Sequence, residues 1–132
     1  MKSVIRVQDK NGRGMFQMGN DMGLGVHNIP ELYNLHIRHI NFPTGFEDTP
    51  INRYLNKKYG VEIDFNKLNY RFSFINIEQF EKWVLRKEVA ILNKYGFRVY
   101  KVETDNYVQG DYQIIFDVNS IKSITDITDL FL

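Results

Sequence analysis

Three positions near the start of the chain combine residue types that hold anions. Arg6 stands in the middle of Val4-Ile5-Arg6-Val7-Gln8, and Asp9 and Arg13 flank the turn Lys10-Asn11-Gly12. A guanidinium presents a planar fork that grips phosphate or carboxylate through paired N–H groups, and neighbouring glycines let backbone N–H groups approach the same ligand. The same side chains also suit an internal Arg–Asp contact that fixes the turn, and the sequence leaves both readings open. Arg6, Asp9 and Arg13 form the candidate ligand- or partner-binding set; no catalytic residue and no metal ligand is assigned.

Other chemistries have weaker support. Glu47 and Asp48 are adjacent, so their side chains diverge rather than forming the opposed pair that acid/base work requires. His27, His36 and His39 are interleaved with Leu35 and Ile37, lack a carboxylate at ligand spacing and make no H-E-x-x-H pattern. Residues 12–25 are rich in glycine, but after Gly12 and Gly14 the third glycine of a dinucleotide fingerprint is replaced by Gln17. No phosphate-cradling loop with its lysine is present either. The serines and threonines have no identifiable base, and with no cysteine there is neither a disulfide nor a thiolate site.

The elements that must position the candidates follow from local signals. Val4–Gln8 is β-branched and reads as a strand closed by Asp9–Gly12. Asn76, with Gln79 three residues on, reads as the cap of a helical segment over Ile77–Tyr95, kinked at Leu85–Arg86 and stopped by Gly96. Ile77, Phe80, Trp83 and Val84 are spaced to line its inner face. Phe97–Thr104 and Tyr112–Val118 read as a strand pair joined across Asp105–Asp111. Pro30–Leu35 starts a short helix with Pro30 in its first turn, and Ile51–Gly60 reads as another. Asn41–Pro50 reads as irregular and Val61–Leu68 as a short strand or extended connection. Thr125–Leu132 is apolar enough to dock as a final strand or helical turn, and left free it would be an exposed hydrophobic patch; the sequence leaves both open. The predicted fold is one α+β domain over 1–132, a mainly antiparallel sheet of Val4–Gln8, Phe97–Thr104 and Tyr112–Val118 with the helical segment on one face.

Composition bounds the partners. The chain has 132 residues, 43% hydrophobic and 14% aromatic, enough to bury a core in one domain. A net charge of +1 gives no global drive toward nucleic acid or an anionic membrane, so direct nucleic-acid binding ranks below the other readings. Without a signal-like start or a spanning apolar stretch, the expectation is a cytoplasmic protein with no membrane partner. Its oligomeric state is not legible in the chain.

The opening Ile5-Arg6-Val7-Gln8-Asp9-Lys10-Asn11-Gly12-Arg13-Gly14 resembles that of a family of small bacteriophage and prophage proteins. The likeness continues through Phe42–Asp48, Gln79–Trp83, Gly96–Tyr100 and Gln113–Phe116, and lapses over Met15–Ile40. It implies an accessory phage protein acting on host defences in the host cytosol, without a cofactor. A looser resemblance joins Tyr112–Ile124 to the closing strand of ADP-ribosyltransferase-like domains, with Ile121-Lys122-Ser123-Ile124 as its turn and Arg6 on the first strand. Gln113 stands where those enzymes place a carboxylate, so the resemblance adds it to the candidate binding set, although it lacks the charge that stabilises their transition state. Two functions are therefore carried forward. The first is a binding protein that inhibits or sequesters a host protein effector or a small nucleotide signal, for example an anti-CRISPR or anti-signalling inhibitor. The alternative is an ADP-ribosyltransferase-like enzyme or nucleotide binder using NAD.

Overall fold

The computed structural model describes residues 1–15, 29–40, 49–60, 69–111 and 113–132, without the side chains of 39, 40 and 49. In chain order the elements are β1 (Lys2–Gln8), a 3-10 turn (Pro30–Leu32) running into α1 (Tyr33–Ile40), α2 (Thr49–Tyr59) and β2 (Tyr70–Ser73). There follow α3 (Ile77–Trp83), α4 (Arg86–Lys94), β3 (Arg98–Thr104), β4 (Tyr107–Gln109) and β5 (Ile114–Asp117). A 3-10 turn (Val118–Ser120), β6 (Ile121–Asp126) and a last 3-10 turn (Thr128–Phe131) complete the fold. Pro50 lies in the first turn of α2, where a missing N–H leaves no intrahelical bond unmade. The expectations for Asn41–Asp48 and Val61–Leu68 lie outside the described residues.

The α+β class holds, but the strands form two antiparallel sheets, β1-β3-β6 and β2-β5-β4. β1 runs against β3 from Lys2↔Thr104 to Gln8↔Arg98. The sheets join at one residue pair, where the Ile5 N–H donates to the Phe74 carbonyl at 3.0 Å and the Phe74 N–H donates back at 2.7 Å. The expected pairing of Phe97–Thr104 with Tyr112–Val118 is therefore corrected: β3 and β5 lie in different sheets. The tight turn comes later than the sequence reading put it. Gly110 donates to the Gln113 carbonyl at 2.8 Å, closing a hairpin between β4 and β5, while β6 takes the place beside β3. Ile121-Lys122-Ser123-Ile124 is a strand and not a turn, so Tyr112–Ile124 is divided between two sheets.

Strand alternation distributes the apolar side chains over three cores. Ile5, Val7 and Val99 face a helical layer in which Leu32, Leu35, Phe80, Val89 and Leu92 are buried. On the opposite face, Val4 and Val102 pack with Ile114 and Phe116 of the second sheet. Ile115 and Tyr70 point away from that contact and are covered by Ile51 and Leu55 of α2. β5 is thus buried on both sides, which explains a run of consecutive apolar residues too short for a helix. The docked end of the chain reaches the helical core through Phe131, whose ring lies 5.0 Å from that of Phe80.

The α3–α4 segment forms as its caps dictate. The Asn76 side chain accepts the Gln79 N–H at 2.8 Å, while the Gln79 side chain accepts from the Ile75 N–H at 2.6 Å, one residue before the cap. The helix breaks at Val84–Leu85, where both backbones are extended. The Glu88 carboxylate restarts it by accepting the Leu85 N–H at 2.9 Å, and Arg38 of α1 donates to the same carboxylate oxygen. Gly96 ends the segment at φ 93°, a conformation that side-chain-bearing residues rarely adopt. Ile77 departs from the expected inner stripe and stands exposed, while Trp83 is half-buried against the core. Removing the cap by Asn76→Ala should cost about 1 kcal/mol, read as a lower denaturant midpoint with an unchanged slope.

Candidate functional site

Arg6 points into the junction between the two sheets and is 7% exposed. Its Nε donates to the Gln8 side chain at 2.9 Å, Nη1 to the Phe72 carbonyl at 2.7 Å, and Nη2 to the Gly12 carbonyl at 3.0 Å. One guanidinium thus ties β1 to the turn that follows it and to β2. Burial, with Arg71 close by, pushes its pKa down to about 10, and Asp9 partly offsets this. The group still carries its charge at neutral pH.

Asp9 and Arg13 complete the turn from the other side. The Asp9 carboxylate accepts the Asn11 N–H at 2.8 Å and the Arg13 N–H at 2.9 Å. The backbone closes with Asp9 N–H to the Arg13 carbonyl at 2.9 Å and Gly12 N–H to the Asp9 carbonyl at 3.0 Å. Gly12 sits at φ 80°, which the tight turn requires. The amides that an anion would need are therefore aimed at Asp9. Asp9 does fix the turn, but through backbone amides, while Arg6 bonds carbonyls. Gly14 lies beside the guanidinium, and a Cβ there would meet Arg6 Nη2 at 3.4 Å, an ordinary contact distance.

Gln113 is held by its carbonyl, which accepts from Gly110. Alternation along β5 sends Ile114 and Phe116 to the inter-sheet core and Ile115 toward α2, and it assigns Gln113 to the side of Ile115. Arg6 shares the face of Val4. The fold gathers Arg6, Asp9 and the Arg13 backbone at one turn.

A second polar cluster was not anticipated. Tyr54 and Lys58, one helical turn apart on α2, meet Tyr70 of β2. Lys58 Nζ lies 3.2 Å from the Tyr54 hydroxyl and 3.4 Å from that of Tyr70, with the rings of Tyr54, Tyr59 and Tyr70 5.4–6.0 Å away. The hydrogen bond with Tyr54 raises the Lys58 pKa, and burial raises that of Tyr70; the bond from Tyr70 lowers that of Tyr54. A firmly cationic lysine held by phenols suits positioning and not proton abstraction. The i, i+4 spacing of Tyr54 and Lys58 was the only sequence signal, because Tyr70 arrives from a separate strand.

Arg98 of β3 makes a third cluster, pairing with Asp126, whose carboxylate also accepts the Thr128 N–H at 2.9 Å and hydroxyl at 2.6 Å. Burial alone would raise the Asp126 pKa, but the bonds from Arg98 and Thr128 outweigh it and hold the group below its ordinary 3.8. A carboxyl depressed in the folded state stabilises the fold above the unfolded value, and that stability is lost as pH falls through the folded value. Stability should therefore decline as pH drops below 3.8. The Asp126→Asn variant should show a shallower decline when the two acid titrations are compared by thermal melting.

His27, Glu47 and Asp48 lie outside the described residues, as does the side chain of His39. Among the described residues, no three His, Cys, Asp or Glu side chains group so as to hold a metal ion. No described helix is long and apolar enough to cross a membrane.

What remains is a small α+β protein whose opening turn is braced from within. Over residues 1–129 the chain matches the family described as Bacteriophage T4 Y00F protein, and it belongs to that family. No curated protein and no solved structure matches it. Its phage character, expected from the opening motif, is thereby established at the level of the family.

Proposed function

We propose that this phage protein is a non-catalytic inhibitor that binds a host protein effector and blocks it, as an anti-CRISPR or anti-signalling protein does in the host cytosol. The observation that carries the reading is rigidly mounted apolar surface on the helical layer. Tyr33 is 63% exposed and Leu130 60%, yet each adjoins a core residue, Leu32 and Phe131 respectively, that is essentially inaccessible. An exposed aromatic or aliphatic side chain on an already ordered backbone loses little entropy on docking, which is how interface anchors contribute most of their affinity. The opening turn supports the same conclusion, since Arg6 and Asp9 spend their hydrogen bonds on the fold's own backbone.

A small nucleotide signal is the second reading. It is favoured by the buried charge of Arg6 beside Arg71, with no carboxylate within ion-pair range of Arg6 among the described residues. NAD-dependent ADP-ribosyl transfer gains no comparable support, because Gln113 cannot supply the carboxylate charge that such a transfer uses.

Mass spectrometry of the protein recovered from a bacterial lysate tests this choice. Under native conditions a host polypeptide at fixed stoichiometry is expected, lost in Tyr33→Asp and Leu130→Asp variants that melt like the parent. A nucleotide released under denaturing conditions would transfer the argument to Arg6. A bare chain under both conditions, across hosts carrying different defence systems, would overturn the inhibitor reading.

A further inference from the structure

β6 is the edge of its sheet, and from Lys122 to Asp126 every residue is exposed. Its inner side is fully assigned. The Ile127 N–H donates to the Val99 carbonyl at 2.9 Å, and hydrogen-bonded pairs recur at every second residue of an antiparallel ladder, so Thr125 and Ser123 direct their backbone groups toward Lys101 and Glu103. The other side of β1–β3 agrees with this phase, since Ile5 turns away from β3 to bond Phe74. Ile124 and Asp126 therefore direct their N–H and C=O groups outward from the sheet. Lys122 stands where the register shifts opposite Glu103–Thr104, which ends the regular edge.

We propose that this edge pairs antiparallel with the same edge of a second copy of the chain, about a two-fold axis through Ile124, to make a sheet continuous across two molecules. The sequence of the edge selects both occupant and register. With Ile124 opposite Ile124 of the second copy, Lys122 of each chain lies across from Asp126 of the other, and the two isoleucines, each 47% exposed alone, cover one another on the axis. Moving the axis to Lys122 or Asp126 sets like charges opposite one another, which destabilises a cross-strand pair. A two-residue slip sets one of the two charges opposite isoleucine and leaves the Lys122–Asp126 pairs unmade. An edge lysine ordinarily keeps foreign strands away; in this one register it finds a carboxylate. Asp126 has room for that contact: its oxygens accept three bonds within the chain, from Arg98 and Thr128, and a carboxylate offers about four lone-pair sites. Lys122 is held only by the half-exposed Asp105 at 3.3 Å, and its long stem reaches past the bulge.

The chain contains no cysteine, so one introduced thiol reports the register directly. Hydrogen-bonded antiparallel partners have Cα atoms about 5.5 Å apart, within the range a disulfide spans. Ile124→Cys should cross-link to a covalent dimer under mild oxidation. Lys122→Cys, equally exposed, should not, because in this register it lies roughly 13 Å along the strand from its counterpart. Sedimentation of the otherwise unaltered chain should show a concentration-dependent dimer, weakened at least about tenfold by Lys122→Glu, which faces Asp126 with a like charge. Ile124→Pro, which removes an outward N–H where an edge strand tolerates proline, should be monomeric with its fold retained by circular dichroism. A parent chain that stays monomeric at all concentrations, or equal cross-linking at both cysteine positions, would overturn the proposal.

Discussion

Phe80→Ala is expected to lower stability by roughly 3–5 kcal/mol, the cost of deleting a buried aromatic that its surroundings cannot replace. Phe80 is wholly buried and stands where three elements converge. Its ring meets Phe74 at 5.3 Å and 64°, and Phe131 at 5.0 Å and 79°, both edge-on arrangements that add to the value of simple burial. Phe74 is the residue that joins the two sheets, and Phe131 is the anchor of the last turn. A cavity at this point loosens the sheet junction and the docked end together. Since small domains are stable by only about 5–15 kcal/mol, the variant should sit close to its unfolding threshold. Urea unfolding checks this. Ile77→Ala, on the exposed first turn of the same helix, should stay within about 0.5 kcal/mol of the parent. Equal losses for the two variants would show that the helical core is not centred on Phe80.

Arg6→Ala is expected to cost about 3 kcal/mol, because it strips donors from two carbonyls at once and removes the aliphatic stem from the sheet junction. The Phe72 carbonyl belongs to β2 and the Gly12 carbonyl to the turn, so the loss should appear as weakened protection of amides on both sides of the junction in hydrogen exchange. Arg6→Lys should recover only part of it, since an ammonium is a point charge and cannot reproduce a fork that bonds Gln8, Phe72 and Gly12 together. The comparison separates two roles. If Arg6 served chiefly to receive a ligand, its removal would leave the melting temperature of the free protein near the parent's or raise it, because a buried charge would have been relieved. A lowered temperature in the free protein identifies the guanidinium as part of the fold.

Much of the local structure was legible in the sequence because its causes are local. Asn76 and Gly96 bracket the helical segment through bonds made within a few residues, and the alternation of Val4–Val7 marks a strand whichever partner it finds. Strand pairing has no such signal. The runs now seen as β3 and β5 are neighbours in sequence, and a hairpin was the economical expectation; the outcome turned on whether Tyr107-Val108-Gln109 paired with β5 and on β6 filling the vacated place. The turn at Ile121-Lys122-Ser123-Ile124 was implied only by the looser family resemblance, and the segment is an exposed edge strand instead. The site was divided in the same way. Arg6, Asp9 and Arg13 meet at one turn because they are close in sequence. That Arg6 is consumed by the Phe72 carbonyl, 66 residues on, and that Lys58 meets Tyr70 across two elements, depend on tertiary contacts that no spacing records.

The reading of this family member as an inhibitor of host defence is tested most directly by phage plating. Bacteria that each carry a single defence system would express the chain, and a phage sensitive to that system would be titred on them. Against at least one system the parent chain should raise plating efficiency by orders of magnitude, and Tyr33→Asp or Leu130→Asp should abolish the gain while remaining folded. Unchanged plating across a broad panel, with the protein present and folded in the cells, would contradict the account.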